Sequence, residues 1–337
     1  MNKIYWDDFD YLVEETTLNS IENDIKANDD DSFSTQNQIV QIQTQITSML
    51  NIISDQQVLI KALTNTLTSL RATLNNVLTH YRGMAMVTFM DDDCSQALLT
   101  GAYPIYEAKE IKASLACPID LVDVDGYLSL AKILELKTEG YDPLNHIKGD
   151  YALSPTNTPA LVSRCKQFIQ DSCIVTPGTI TEDIIVYPFG NIDPNPTQVA
   201  NIAGEYIKYA LDVGGTTNLY NNFDDLEIAR LYLCQATGMG TFMEDEIKKG
   251  TGYVNKWVDH YNSTGKWIGG DMEWVYDDSN PKGWTVIFNH SWMLDADKYG
   301  DKIFVPQKLS EVIDFVKTLN CKIVTITQGL LIKYGIE

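Results

Sequence analysis

The chain has 337 residues, enough for one large domain with an accessory element or for two ordinary domains, and its 44% hydrophobic content suits a globular protein with a buried core. Its formal charge of −21 argues against nucleic acid and anionic lipid as partners, because a field of that sign repels polyanions; neutral or N-acetylated glycans are permitted, and polyanions only through bridging cations. The plainer alternative is that the charge simply keeps the protein soluble. No apolar run approaches the ~18 residues of a membrane span, so no membrane insertion is expected. Met1–Asp10 lacks the basic-then-apolar order of a secretory signal. Cys94, Cys117, Cys165, Cys173, Cys234 and Cys321 are scattered without a C-x-x-C pair, which in a cytosolically made chain predicts free thiols.

In chain order, residues 1–35 begin with an apolar-aromatic stretch (Ile4, Tyr5, Trp6, Phe9, Tyr11). A helix follows over Glu14–Lys26, with Leu18, Ile21 and Ile25 at helical spacing, until Asp29-Asp30-Asp31 breaks it. It reads either as a short amphipathic helix packing on something or as a docking segment.

Residues 36–82 carry the clearest periodicity. Ile39, Ile46, Ile53, Ile60, Leu67, Leu74 and Tyr81 lie seven apart, and Ile42, Met49, Gln56, Leu63, Leu70 and Val77 follow three residues after the first six. One helix cannot bury so narrow and sustained a seam, so the pattern calls for partner strands. Ile at the first position with Ile, Met or Leu at the second favours three strands over two. The expectation is a parallel homotrimeric coiled coil about 65 Å long at about 1.5 Å per residue.

Residues 83–337 read as alternating short apolar strands and amphipathic helices, an α/β pattern. Strands are expected at Ala85–Phe89, Ile184–Tyr187, Tyr209–Val213, Trp284–Phe288 and Lys322–Ile326. Helices are expected at Leu130–Glu139 (N-cap Ser129, stop Gly140), Pro159–Gln170, Pro196–Tyr206 and Leu309–Leu319. A strand–helix spacing of about 30 residues suits a (β/α) barrel. His80, closing the coiled coil, and His260, placed on an amphipathic helix, are read as structural. Asp295–Gly300 brushes a calcium loop but is rejected, since Tyr299 and Pro306 stand where oxygen ligands belong.

Four local features could carry chemistry. Val87-Thr88-Phe89-Met90-Asp91-Asp92-Asp93-Cys94 ends a strand in consecutive carboxylates, one of which can hold a metal while its neighbour takes a proton; it can also be a plain acidic turn. His146 and Asp150, four apart, can share a metal, or His146 can be an exposed loop residue. Tyr187-Pro188-Phe189-Gly190 makes a rigid wall suited to a sugar ring, or simply a turn. Gly283–Trp292 is a buried strand delivering His290, flanked by Trp292, as a general acid near neutral pH.

Taken in order, over residues 84–330, these features resemble the polysaccharide deacetylases, in the divergent branch found among phage and prophage tail genes. V-T-F-M-D-D-D-C stands at the strand end of the family's T-F-D-D-G, and N-H-I-K-G-D stands where it has H-[ST]-x-x-H. Y-P-F-G-N-I-D, G-W-T-V-I-F-N-H and the closing helix–strand L-S-E-V-I-D-F-V-K-T-L-N-C-K-I-V-T-I follow in the same order. The leader Y-W…L-V-E-E-T-T-L-N-S-I-E is similar to that of many phage tail proteins.

The resemblance implies a barrel-like domain holding a divalent metal, usually zinc, on an Asp-His-His set. A gapless placement makes Asp92 the base, Asp93 and His146 metal ligands and His290 the acid, with Asp150 at the second histidine position. Tyr187, Pro188, Phe189 and Trp292 then line the sugar. The extra Asp91 leaves the first pair open between Asp91/Asp92 and Asp92/Asp93. Cys94 stands for the family's Gly, Ile147 for its Ser/Thr, and the Arg that orients the base has no counterpart before Pro188.

The resemblance also implies a virion protein of a tail tip, baseplate or fibre, made in the host cytoplasm. Its leader would dock on other tail or baseplate proteins, and it would bind or deacetylate a host cell-surface glycan. The alternative is a purely structural connector carrying an inert deacetylase-like domain. A free cytosolic hydrolase is disfavoured by the heptad seam.

Overall fold

A computed structural model describes residues 19–20, 32–81, 84–146, 154, 156–174, 180–186, 209–211, 228–234, 238–278, 283–294 and 296–334. The chain divides into two units, Met1–Val77 and Leu78–Glu337. The helix expected over Glu14–Lys26 lies outside the described residues except for Asn19 and Ser20, which are helical.

The first unit is dominated by one helix, α1 (Ser32–Tyr81), free of Gly and Pro. Thr44, Thr47, Thr64, Thr66, Thr68 and Thr73 each fold their hydroxyl back onto the carbonyl four residues earlier, so the helix flanks satisfy their own polar groups. Within a single chain the heptad positions have nothing to pack on: Met49, Leu63, Leu67 and Leu70 are 61–71% exposed.

The second unit is built on a parallel sheet. Its strands are β1 (Ala85–Asp92), β2 (Ser114–Pro118), β3 (Asp142–His146), β4 (Ile184–Val186), β5 (Tyr209–Leu211), β6 (Ile228–Tyr232), β9 (Trp284–Asn289) and β10 (Cys321–Ile323). The order is β5-β4-β3-β2-β1-β9-β6, with β10 on β1. β10 pairs with the first half of β1 and β2 with its last residues, so β1 is central and its far end is fully buried. Between come the helices α2 (Tyr103–Ala108), α3 (Leu130–Thr138), α4 (Thr158–Ser172), α5 (Thr241–Gly250), α6 (Pro306–Lys317) and α7 (Ile326–Tyr334). Two further strands, β7 (Tyr253–Tyr261) and β8 (Trp267–Tyr276), form a separate antiparallel hairpin.

Alternation along the strands sorts two apolar layers. Val87, Phe89, Leu115 and Ile287 meet Tyr106, Ile133, Leu136, Ile169, Ile247, Leu309, Val312 and Val316 of the flanking helices. Met86, Met90, Ala116, Leu144, Val186, Trp284, Val286 and Phe288 meet Ile326 and Leu330 of α7 on the other face. The start of α7 is tied down by Asp142, whose carboxylate accepts from the backbone N–H and hydroxyl of Thr327, while Ser114 Oγ accepts from the N–H of Ile326.

The Ser129 cap holds, its oxygen accepting from the N–H of Lys132. Two expectations are corrected. His260 lies on strand β7 rather than a helix, and the strand expected at Lys322–Ile326 ends at Ile323, because Ile326 already opens α7. The sheet is parallel with helices against both faces, but no ladder joins β5 to β6 among the described residues, so a closed barrel is not seen. The Pro196–Tyr206 helix falls outside the described residues.

Candidate functional site

In a parallel sheet the C-terminal strand ends all open at one edge, and the loops leaving them can converge there. β1, β3 and β9 bring Asp92, His146 and His290 to that edge. By alternation Asp92 continues the face of Met86 and Met90, His146 that of Leu144, and His290 that of Phe288. Asp91 lies one residue earlier and points into the opposite layer.

Asp93 joins Asp92 at the sheet edge as a second carboxylate. With Cys94 it forms the turn leaving β1, both in the left-handed region (φ 77° and 47°), where Asp is tolerated better than most residues. The turn aims the Asp93 carboxylate back over the strand end. Its Oδ1 lies 3.5 Å from His146 Nε2, and its Oδ2 lies 3.8 Å from His290 Nε2 and accepts the indole N–H of Trp292 at 2.8 Å. His290 Nε2 is 4.0 Å from Asp92 Oδ2. The His290 ring is held edge-on between Phe288 and Trp292, and Trp292 stands edge-on to Tyr299.

His146 is buried, and its Nδ1 lies 2.8 Å from the carbonyl of Val186. A carbonyl only accepts, so Nδ1 carries a proton and Nε2 faces Asp93. Burial alone would pull the His146 imidazolium down, but the carboxylates of Asp93 and Asp92 outweigh it and raise its pKa. Burial likewise pushes Asp93 up. The hydrogen bond and charge of His146, the charge of His290 and the Trp292 N–H reverse that, holding Asp93 below the usual carboxylate range.

Asp91 behaves differently. It is fully buried, and its Oδ2 accepts from both the Asn289 amide and the Ser291 hydroxyl; Asn289 Oδ1 in turn accepts from the hydroxyl of Tyr106 at 3.2 Å. Burial drives its pKa well above the usual value, with repulsion from Asp92 and Asp93 as lesser causes. Asp91 thus sits on the other side of the strand from Asp92, and desolvation is the larger cause of its shift. Asn289 and Ser291 were missed as partners, although flanking His290 on both sides is the period-2 signature of a pair on the opposite face. Cys94 lies against Cys117 (Sγ–Sγ 2.7 Å), both buried and free.

Can this edge hold a divalent cation? Two ligands at about 2.1 Å with a tetrahedral angle stand roughly 3.4 Å apart. The 3.5 Å between Asp93 Oδ1 and His146 Nε2 matches this, and the carbonyl on Nδ1 is the usual outer partner of a ligating His. These two residues fit a metal. Asp150, Tyr187, Pro188 and Phe189 lie outside the described residues, and among the described residues no group of three His, Cys, Asp or Glu side chains is arranged to hold a metal.

No family model matches the chain and no curated protein is similar to it. Among solved structures it is similar to a family 4 acetyl xylan esterase from Clostridium thermocellum, at 15% identity and a TM-score of 0.40, over 73% of this chain and 90% of that one. It is also similar to the Xyl-CE4 domain of a multidomain xylanase from the hindgut metagenome of Trinervitermes trinervoides (13% identity, TM-score 0.41, 73% of this chain, 90% of that one). A peptidoglycan N-acetylglucosamine deacetylase is similar at 12% identity and a TM-score of 0.41, over 72% of this chain and 86% of that one.

Proposed function

We propose that the second unit is a metal-dependent amide hydrolase site that binds and deacetylates an N-acetylated cell-surface polysaccharide, carried on a homotrimeric phage tail-fibre or baseplate protein. The observation that carries the chemical part is the pairing of His146 Nε2 with Asp93 Oδ1 at 3.5 Å, with His290 reaching Asp93 and Asp92 from the neighbouring strand.

Asp93 and His146 would hold the cation, with Asp150 proposed as the third ligand. When bound, a divalent metal, zinc by preference, polarises the acetamide carbonyl and acidifies a water. Asp92, at the sheet edge beside His290, is assigned to take the proton from the attacking water. His290 returns a proton to the leaving amine, so that amide plus water becomes acetate plus free amine. Trp292 fixes Asp93 through its N–H and His290 through its ring, which places it beside the reacting groups and suits it to a sugar face; Tyr187, Pro188 and Phe189 are proposed as the rest of that wall. The virion setting and the trimer are supported by the leader and by the exposed heptad seam of α1.

The test is zinc content together with acetate release from chitooligosaccharides. The native chain should bind zinc and release acetate. His146→Ala should lose zinc while the fold survives, and His290→Ala should keep zinc and lose turnover. Zinc bound without acetate release would reduce the site to a glycan-binding cleft. A native chain that takes up no metal and releases no acetate would overturn the proposal and leave the inert connector.

A further inference from the structure

Cys94 and Cys117 take no part in the chemistry above, yet they meet one residue away from it. In the β1–β2 ladder Asp92 pairs with Ala116, so Cys117 lies level with Asp93, where the chain turns out of β1. Cys117 alternates with Leu115 onto the helix-covered layer. The left-handed pair Asp93-Cys94 folds the Cys94 side chain back onto the same layer, and the two sulfurs come to 2.7 Å.

Both backbones are fixed where this happens. Cys117 is held in the sheet opposite Asn145 of β3. The Cys94 carbonyl accepts the N–H of Leu128 at 2.9 Å, and the residues after it are tied by the Ser95–Tyr127 bridge and by the Gln96 N–H on the Gly126 carbonyl. Two cysteines can be bridged without moving the backbone only where their Cβ atoms face one another at close range. Sulfurs in contact on two fixed backbones meet that condition. The choice of residue points the same way: at the φ of 47° found for Cys94 a side chain is strained where glycine is not. Position 94 therefore gains from cysteine a sulfur and not a backbone conformation.

We infer that Cys94 and Cys117 are a redox-active pair that closes to a disulfide when the protein meets an oxidant, clasping the turn that carries Asp93 to the end of β2. With a small disulfide such as oxidised glutathione, one thiol displaces glutathione to give a mixed disulfide, and the second thiol displaces the other half. Two S–H bonds are lost and one S–S bond forms, and two electrons and two protons leave as two reduced glutathione molecules. The open pair belongs to a reducing cytosol and the closed pair to oxidising surroundings. Because Asp93 precedes Cys94 on the turn, closure steadies the carboxylate that faces His146 and His290. Both cysteines are only 1–2% exposed, so the oxidant gains access through local opening of the turn. Closure is accordingly slower than reaction at Cys173, which is exposed.

The test holds the full native chain with excess oxidised glutathione and, in parallel, with dithiothreitol. Remaining thiols are trapped by alkylation in denaturant, and the peptides are read by mass. Glutathione on exposed Cys173 marks that the oxidant has reached the protein. The peptides bearing Cys94 and Cys117 should then be found joined, two hydrogens lighter than their sum. The two residues lie 23 apart in sequence, and for a loop of that length the oxidised chain should melt about 5–10 °C above the reduced one. Cys94→Ala and Cys117→Ala should each abolish the joined peptide and the rise in Tm while still taking glutathione at Cys173. The comparison of oxidised with reduced native chain needs neither variant. If Cys94 and Cys117 are both alkylated after Cys173 has reacted, or if either is joined to a different cysteine, the inference fails. The two thiols are then no more than small apolar side chains packed together. A joined pair that leaves Tm unchanged or lowered overturns the clasp.

Discussion

Gly329 lies within α7 against the ring of Trp284, and replacing it with Ala separates two opposed effects. Helix propensity alone favours Ala over Gly by about 1 kcal/mol. The added Cβ, however, would press on Cζ2 of Trp284 and stand 2.5 Å from Cη2, inside any real contact distance. The ring cannot withdraw cheaply, because it is 1% exposed and its N–H is donated to Thr88 Oγ1 at 2.9 Å. Overpacking costs about 1–3 kcal/mol. Dragging the indole off Thr88 leaves a buried donor unmade, for about 1–3 kcal/mol more. Offset by the propensity gain, Gly329→Ala should destabilise the second unit by about 1–5 kcal/mol, or roughly 2–20 °C in Tm for a unit of this size. Thermal unfolding followed by circular dichroism measures it. Because Trp284 begins the strand whose far end carries His290, the packing at stake is the floor beneath the site. A Tm that is unchanged or raised would refute the packing of α7 against β9.

Two other outcomes follow from the same structure. Leu63→Asp, at a heptad position 71% exposed on a lone helix, removes about 1.5–3 kcal/mol of burial from each strand and puts three carboxylates on one axis, so light scattering should report single chains at micromolar concentration; a persisting trimer would count against the seam. Zinc affinity should climb with pH: Asp93 and Asp92 raise the His146 pKa, so a proton must leave Nε2 before it can ligate, and below that pKa affinity should gain about tenfold per pH unit. The sign for the metal-free protein is opposite, since a raised histidine stabilises the fold below its unfolded pKa and loses that contribution as pH rises through the folded one. Titration calorimetry across the range in which His146 titrates reads the affinity, and a flat profile would remove His146 from the ligand set.

What could be seen in the sequence was whatever a short local pattern specifies. The seven-residue spacing from Ile39 to Tyr81 marks a long helix without help from the rest of the chain, and α1 is one. The apolar runs of β1 and β9 and the Ser129 cap are equally local. β2 and β3, Ser-Leu-Ala-Cys-Pro and Asp-Pro-Leu-Asn-His, were not foreseen. Both contain Pro and β3 is mostly polar, and they are strands because β1 and β4 lie beside them. The hairpin misled for a different reason: Trp257 and Tyr261 are four apart, which suits a helix as well as one face of a strand. The deciding signal was Asn262-Ser263-Thr264-Gly265. There Asn262 Oδ1 accepts from the N–H of Thr264 and of Lys266, and Gly265 takes φ 74°, closing a turn no helix would contain.

The candidate site shows the same division between local and non-local information. Period 2 guarantees that Asp91 and Asp92 point to opposite faces, but it does not say which face is chemical. That is decided by what other strands deliver. Asn289 and Ser291 meet Asp91 with donors on the helix-covered side, whereas His290 meets Asp92 and Asp93 at the open edge. A carboxyl buried under helices is costly when charged, and burial duly pushes Asp91 well up, so its part is to bind β9 to β1 through Asn289 and Ser291. Asp93 keeps its charge because two histidines and an indole N–H face it. Three adjacent aspartates thus divide by environment: one fastens the two strands together, and the two at the edge keep company with imidazoles. That division is what makes Asp92 and Asp93, rather than Asp91 and Asp92, the pair to test as base and ligand.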